Sequence, residues 1–168
     1  ALPAPPSVVL LCSLPGGLEY DVGLPLLEDG RLHRISLARP EHLARLCAAA
    51  PDVLFSDPAG LHWLASQAEG PAPRLMLTSA QHFSRSERIA LAVVQPATVI
   101  NYYATTETGP IAWECLQAPG RFHVLAPDVW VEDVGGEVIV TRLRPSVLPL
   151  LRYRTGDAGR VTWRVCEC

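Results

Sequence analysis

The sequence predicts an α/β protein in which a parallel sheet flanked by helices is followed by a small, mostly antiparallel β subdomain. Through the first two-thirds of the chain, short apolar segments alternate with helical segments, which is typical of a parallel sheet covered by helices. After about Cys115, strand signals follow one another closely and are separated by glycine. The predicted subdomains are residues 1–115 and residues 116–168, and this length suits one domain or two small subdomains that share a core.

The elements of the first subdomain are predicted from apolar runs and helix start signals. Pro40 suits the first turn of a helix, because proline lacks the backbone N–H that a helix start leaves without a partner. Ser84 and Glu87 have the spacing of a capping box, in which the serine caps the helix and the glutamate returns to the serine amide. Strands are predicted at residues 8–11, 32–37, 53–55, 75–77 and 99–103, and helices at residues 41–50, 59–68 and from the cap at Ser84 to about residue 94.

The second subdomain is predicted to consist of β structure. Gly135 and Gly136 mark a hairpin turn between two runs rich in β-branched residues. Its strands are predicted at residues 129–131, 137–141, 147–153 and 159–163. Aromatic side chains contribute much of the buried area of small cores, and three tryptophans are therefore expected in the core of this region: Trp113, Trp130 and Trp163.

Charge and hydropathy exclude two classes of partner. The net charge is −3, and the 14 basic residues, all arginine, are scattered rather than gathered into a stripe that would attract nucleic acid. No apolar run reaches the roughly 18 residues of a membrane-spanning helix, and no signal peptide opens the chain. We therefore expect a soluble protein of the cytoplasm that binds neither nucleic acid nor a membrane.

Two polar segments supply groups that a nucleotide site needs. Residues 101–107 read N-Y-Y-A-T-T-E at the end of an apolar strand, where ligands of open α/β sheets bind, and residues 153–157 read Y-R-T-G-D. Taken alone, either segment also fits a capped turn or a solvated strand edge. Together they resemble the N-x-Y-G-x-T-E and Y-R-T-G-D motifs of the adenylate-forming superfamily. Glu114-Cys115 and the longer run P-L-L-R-Y-R-T-G-D at residues 149–157 are similar to the phenylacetate-CoA ligase branch.

The resemblance implies an ATP-dependent ligase. Such an enzyme converts a carboxylic acid, here an aryl acid, to an acyl-adenylate and transfers the acyl group to coenzyme A. The resemblance implies that Glu107 holds Mg²⁺, that Thr106 donates to the α-phosphate and that Asp157 accepts from the ribose hydroxyls. Tyr103 would lie against adenine, and Arg154 would contact the nucleotide or brace its loop. The other residues implied at the nucleotide or acyl pocket are Ala104, Thr105, Ser79 and Ala80.

The sequence departs from the family pattern, and two interpretations stay open. Ala104 and Ser79 replace glycines of the family, and Gln81 replaces a glutamate. The glycine-rich phosphate loop of the family has no counterpart in the sequence. The catalytic lysine has none either, since the sequence contains no lysine. If the chain is part of an active ligase, a further segment or a second polypeptide is expected to complete the site. The alternative is a non-catalytic nucleotide-binding or zinc-stabilised interaction module derived from the family. Oligomer formation is left open.

A set of sulfur and nitrogen ligands suits zinc. Cys166 and Cys168, at C-x-C spacing, can hold one metal ion, and Cys115 and His123 complete a Cys₃His set. The spacing matches no common zinc finger. Relatives in the phenylacetate-CoA ligase branch carry a similar C-x-C pair after the second motif, and the resemblance implies a structural zinc ion. The alternative is a core thiol at Cys115, a hydrogen-bonded His123 and a disordered tail.

Overall fold

The computed structural model describes residues 5–13, 18–27, 29–94, 97–145 and 147–168. The chain divides into two compact units, residues 1–101 and residues 102–168. Parallel strands with helices are followed by a small antiparallel sheet, which confirms the predicted fold class. Each unit has a buried apolar cluster of its own, so each is described separately.

The first unit is built on parallel strands. β1 lies between β3 and β4, β5 pairs with β4, and the first half of β6 pairs with β5, all in parallel. β2 is an edge strand antiparallel to β3 and was not predicted. The five residues of β2 include Asp21 and Gly23 and form no apolar run. The strands are β1 (Ser7–Cys12), β2 (Tyr20–Leu24), β3 (Gly30–Ser36), β4 (Val53–Ser56), β5 (Leu75–Thr78) and β6 (Thr98–Thr105).

Three helices accompany these strands: α1 (His42–Ala49), α2 (Pro58–Ala65) and α3 (Arg85–Val94). α2 begins at Pro58, where Asp57 Oδ1 caps the helix by accepting from the Gly60 amide at 2.8 Å. It ends three residues before the predicted residue 68, because the Ser66 hydroxyl donates to the carbonyl of Trp63 at 2.7 Å and competes with further helical bonds. Among the described residues, no helix is long and apolar enough to cross a membrane.

The core of the first unit collects apolar side chains from strands β1, β3, β4 and β5 and from all three helices. The alternation of side chains along β1 places Val9 and Leu11 on the buried face. Trp63 packs against the same cluster, as a half-buried residue. The buried members are Val9, Leu11, Ile35, Leu46, Leu54, Leu61, Leu64, Met76, Phe83 and Leu91.

The second unit consists of antiparallel β structure. The second half of β6 pairs with β7, and β7 pairs with β8. A separate three-stranded sheet has the order β11-β10-β9, and Gly135 (φ 63°) and Gly136 (φ 86°) form the predicted turn between β9 and β10. The strands are β7 (Gly109–Glu114), β8 (Phe122–Val124), β9 (Val129–Val134), β10 (Glu137–Arg142) and β11 (Tyr153–Ala158).

Several expectations for the second unit are wrong. No strand covers residues 147–152, all of which the structure describes. The strand β11 begins only at Tyr153, after Arg152 takes a positive φ of 49° that interrupts an extended chain. Residues 159–163 make no regular ladder, because the Val161 amide donates to the side chain of Asp133 instead of to a strand carbonyl. The three tryptophans are not core residues, since their exposed fractions are 42% for Trp113, 46% for Trp130 and 57% for Trp163.

The predicted capping box at the start of α3 is present and can be tested. The Ser84 amide donates to Glu87 Oε2 at 2.7 Å, and the Glu87 amide donates to Ser84 Oγ at 3.2 Å. Ser84→Ala should lower the free energy of unfolding by about 1 kcal/mol, because the first turn loses the acceptor for an unpaired amide. Ser86→Ala is the matched control: it removes a hydroxyl that lies 3.0 Å from Ser84 Oγ but leaves the bond from the Glu87 amide to Ser84 Oγ in place. Urea unfolding followed by circular dichroism should therefore show a smaller change than for Ser84→Ala. Equal effects of the two variants would contradict the capping role.

Candidate nucleotide site and metal cluster

The two polar segments predicted from the sequence meet in the second unit. Tyr103 on β6 donates its phenolic hydrogen to Asp157 Oδ2 on β11, with 2.6 Å between the oxygens and 54 positions between the residues. Burial, followed by the bond to Asp157, raises the pKa of Tyr103 to about 12. Tyr103 is therefore a neutral donor at neutral pH, and it fixes one oxygen of the Asp157 carboxylate.

A second contact joins the same two segments. Glu107 is exposed in the turn after β6, and its pKa is lowered by a backbone amide and then by the hydroxyl of Thr105. The hydroxyl of Tyr153, on β11, also contributes to this lowering. The pKa of Tyr153 is raised, first by burial and then by the negative charge of Glu107. Glu107 is thus an ionised, solvent-facing carboxylate, which is the form that binds a hard cation.

A β-bulge directs Asp157 toward Tyr103. The pairing of β10 with β11 shifts register between Glu137 and Ile139, and Gly156 lies in the shifted part with a φ of 81°. Only glycine takes this conformation readily, which explains the glycine in the Y-R-T-G-D segment. The Thr155 hydroxyl donates to the carbonyl of Val138 at 2.9 Å and accepts from the Asp157 amide at 3.1 Å. The bulge is therefore fixed on both sides of Gly156.

The first segment also contains a register shift and a tight turn. The shift lies between Tyr103 and Ala104, and Ala104 is not among the residues with positive φ, so its methyl group causes no backbone strain. Thr105 Oγ1 accepts from the Thr108 amide at 3.1 Å and thereby closes the turn. Thr106 and Glu107 project from this turn into solvent. The turn thus presents a hydroxyl and a carboxylate side by side.

Arg154 has a partner that the sequence analysis missed. Glu137 on β10 accepts from Arg154 Nε at 2.8 Å and from the Gly156 amide at 3.1 Å. The pKa of Glu137 is lowered, chiefly by the guanidinium of Arg154. The geometry supports the bracing role for Arg154. Glu137 lies outside both motifs, and only the pairing of β10 with β11 reveals it.

Ser79 and Ala80, the expected wall of the acyl and adenine pocket, belong to the first unit and follow β5. Ser79 is buried, and Ala80 has a φ of 73°, which is costly for any residue other than glycine. Next to them, Thr78 is fully buried, and its hydroxyl finds no hydrogen-bond partner within the described part of the protein. Strain and an unpaired hydroxyl therefore coincide at the carboxyl end of β5.

The four predicted zinc ligands converge in the second unit. The ligand atoms of Cys115, His123, Cys166 and Cys168 all lie within 4.8 Å of one another. The sulfurs of Cys115 and Cys166 are 3.9 Å apart, and Cys168 Sγ is 3.3 Å from His123 Nε2. In a tetrahedral zinc site these edges are about 3.8 Å and 3.5 Å, from zinc–sulfur bonds of about 2.3 Å and zinc–nitrogen bonds of about 2.0 Å. The cluster has the donor set of a structural zinc site, and these two distances are close to the edges of one.

The β7–β8 hairpin supplies two of these ligands. Cys115, which is buried, follows β7 and donates its amide to the carbonyl of Arg121 at 2.7 Å, while His123 is on β8. The Glu114 carboxylate accepts from the Gly120 amide at 2.7 Å and closes the loop between them. In the C-x-C pair, the backbone and the thiol of Cys168 lower the pKa of Cys166. The contact with Cys166 in turn raises the pKa of Cys168 to about 11.

Comparison with known proteins finds a shared fold. No protein-family model matches the chain, and no curated protein matches it in sequence. An open conformation of 2-hydroxyisobutyryl-CoA ligase, in complex with 2-HIB-AMP and CoA, is similar with a TM-score of 0.71 and 14% identity over 91% of this chain and 43% of that chain. The chain has the fold of part of this ligase.

Two further ligases show the same similarity. A benzoate CoA ligase from Burkholderia xenovorans LB400 has a TM-score of 0.61 and 16% identity, over 87% of this chain and 35% of that chain. The anthranilate CoA ligase AuaEII, in complex with anthranoyl-AMP, has a TM-score of 0.58 and 10% identity, over 83% of this chain and 32% of that chain. The chain therefore spans less than half the length of each of these structures.

The brace between Glu137 and Arg154 makes stability depend on pH. Because folding lowers the pKa of Glu137 from its ordinary 4.5, its contribution is present above pH 4.5 and is lost as the pH falls further, through the lowered pKa of the folded state. Glu137→Gln should lower the melting temperature at pH 7 and reduce the further drop between pH 7 and pH 3.5. Arg154→Gln should have a similar effect, and the double variant should be no less stable than the single ones. An undiminished drop in Glu137→Gln would contradict the brace.

Proposed function

We propose that this chain is part of an adenylate-forming ligase of the phenylacetate-CoA ligase type. The enzyme would use ATP to convert an aryl carboxylic acid to an acyl-adenylate and would then form the coenzyme A thioester. The observation that supports this proposal most is the bond between Tyr103 and Asp157, at 2.6 Å, which joins the two motif-like segments. The shared fold with three acid–CoA ligases supports it independently.

Each residue proposed to bind the nucleotide has a geometry that suits its role. One oxygen of Asp157 is held by Tyr103, and the remaining lone pairs of the carboxylate accept from the two ribose hydroxyls. The aromatic face of Tyr103, together with Ala104 and Thr105, borders the adenine. Thr106 donates its exposed hydroxyl toward the α-phosphate. When bound, ATP supplies the phosphorus atom that the substrate carboxylate attacks.

The metal proposed for the reaction is Mg²⁺, and Glu107 is its proposed ligand. Mg²⁺ binds oxygen, commonly through one or two carboxylates and the phosphates of the substrate. Glu107 fits this role because its carboxylate is exposed and its lowered pKa keeps it ionised at neutral pH. Thr106 and Glu107 are therefore the residues of this chain that we assign to catalysis.

The acid is proposed to be aryl, in the pocket bordered by Ser79 and Ala80. Two of the similar structures are ligases of the aryl acids benzoate and anthranilate, while the third is a ligase of 2-hydroxyisobutyrate. The strained backbone at Ala80 is of the kind that clusters at ligand sites. Since the chain spans less than half of each ligase, a further segment or a second polypeptide supplies the phosphate loop and the lysine in this proposal.

A zinc-stabilised module without catalysis is the second candidate. It is motivated by the Cys₃His cluster, because a zinc site with four protein ligands leaves no open position for a substrate and would serve stability. In both candidates Asp157 binds a nucleotide and the zinc ion fixes the β structure. They differ in whether the completed protein forms an acyl-adenylate.

AMP binding tests the proposed nucleotide site. Asp157→Ala should weaken AMP binding at least 100-fold in titration calorimetry, because two hydrogen bonds to a charged acceptor are lost. Asp29→Asn is the matched control: Asp29 is an exposed turn residue of the first unit with a φ of 59°, which asparagine tolerates, and its substitution should leave the affinity unchanged.

Equal AMP affinity in Asp157→Ala and the unmodified chain would contradict the assignment of the ribose acceptor. The choice between the two candidates needs the chain completed by its missing segments. Exchange of pyrophosphate into ATP that depends on an aryl acid, and that Glu107→Gln abolishes, would establish the ligase. AMP binding without such exchange would establish the non-catalytic module.

The proposed structural zinc ion is tested by metal analysis. The purified chain should contain about one zinc ion, and Cys166→Ser combined with Cys168→Ser should contain none, because two of four ligands are lost. Chelation should lower the melting temperature of the unmodified chain and leave that of the double variant unchanged. Cys47→Ser, at an exposed thiol outside the cluster, should retain the metal. Retention of zinc by the double variant would contradict the proposed ligand set.

A further inference from the structure

The segment 159–168, which we call the strap, lies along the β9–β10 hairpin and leads to the two cysteines of the C-x-C pair. The Gly159 amide donates to the carbonyl of Gly136 at 2.9 Å, and the Val161 amide donates to Asp133 Oδ2 at 2.7 Å. These two contacts are two residues apart, and residues 160 and 162 are exposed. This is the period of an extended chain with one face on a surface.

The first two anchors hold the strap close to the hairpin. A Cβ atom at Gly159 would lie 2.6 Å from Val138 Cγ2, so glycine is the residue that permits this approach. Val161 packs against the apolar cluster of the second unit. The strap is therefore fixed at its beginning by backbone bonds and by burial.

The third anchor is a pair of stacked tryptophans. The rings of Trp163 on the strap and Trp130 on β9 have centroids 4.5 Å apart and planes at 17° to each other. Both side chains stay about half exposed, so the pair lies at the surface rather than in the core. Trp163 is the last of the three anchors and precedes Cys166 by three residues. Beyond it, Val165 is 95% exposed.

We propose that the Trp130–Trp163 stack is a positioning device that presents the thiols of Cys166 and Cys168 to Cys115 and His123. This inference rests on the zinc site proposed above and assigns a new role to two residues that bind no metal themselves. It also explains why two tryptophans remain exposed on a small β unit. Between Val161 and the first thiol, five residues later, the stack is the contact that holds the strap to β9.

The physical effect is preorganisation. A metal ion binds only the conformations in which all four ligands are close, and its apparent affinity falls in proportion to the population of those conformations. An aromatic pair of this kind changes that population by a factor of about 10. The stack should therefore alter metal affinity without altering the number or type of ligands.

Cobalt titration of the full chain tests the proposal. Co²⁺ in a tetrahedral thiolate site absorbs visible light, so both the affinity and the ligand set can be read from one spectrum. Trp163→Ala and Trp130→Ala should each weaken Co²⁺ binding about 10-fold while the absorption bands stay the same. The double variant should be no weaker than either single one, because both remove the same contact. Trp163→Phe should restore most of the affinity, and Val165→Ala should match the unmodified chain.

A metal-free measurement tests the anchor directly. With chelator present, trypsin should cleave after Arg164 faster in Trp163→Ala than in Val165→Ala, because the end of the strap is released. If circular dichroism shows that Trp163→Ala does not fold, Trp163→Leu replaces it and is compared with Trp163→Phe. Leucine keeps an apolar side chain without a ring. Unchanged Co²⁺ affinity in both tryptophan variants would overturn the positioning role while leaving the zinc site intact. Failure of the unmodified chain to bind Co²⁺ would overturn the zinc site and the positioning role together.

Discussion

The pairing of β11 with β10 is the constraint on which the second unit depends. It places Arg154 beside Glu137, and its register shift around Gly156 directs Asp157 toward Tyr103. The same strand leads directly into the strap that ends at the cysteine pair. One antiparallel pairing therefore determines the positions of the proposed ribose acceptor, of the ion pair beside it and of two proposed metal ligands.

Irregular strand pairing positions the residues of the proposed nucleotide site. Register shifts occur where each polar segment needs a side chain to leave the regular alternation, between Tyr103 and Ala104 and again around Gly156. Bulges of this kind redirect side chains next to active sites. Each shift is stabilised by short-range bonds, from Thr105 to its turn and from Thr155 to the carbonyl of Val138. Both segments thus have hydrogen bonds that hold their irregular conformations.

The sequence predicted those features that local chemistry determines. The capping box at Ser84, the glycine turn at Gly135 and the apolar strands of the parallel sheet follow from neighbouring residues, and the structure has them. Features set by distant partners were not predicted. Glu137 has no motif, and its role comes from a strand that is 17 positions away. β2 lacks an apolar run, because an edge strand needs to bury only part of its surface.

The exposed tryptophans show why composition alone misplaces residues of a small β unit. A large aromatic side chain is expected in a core, but the buried cluster of the second unit is made of smaller side chains: Ile111, Ala112, Val129, Val131, Val138 and Val140. Trp130 lies on the opposite face of β9 from Val129 and Val131, since side chains alternate along a strand. The Trp130 indole on that face stacks on a second ring, that of Trp163 on the strap. Apolar surface is thus removed from water outside the core, and in the positioning role proposed above this contact holds the cysteine pair near Cys115 and His123.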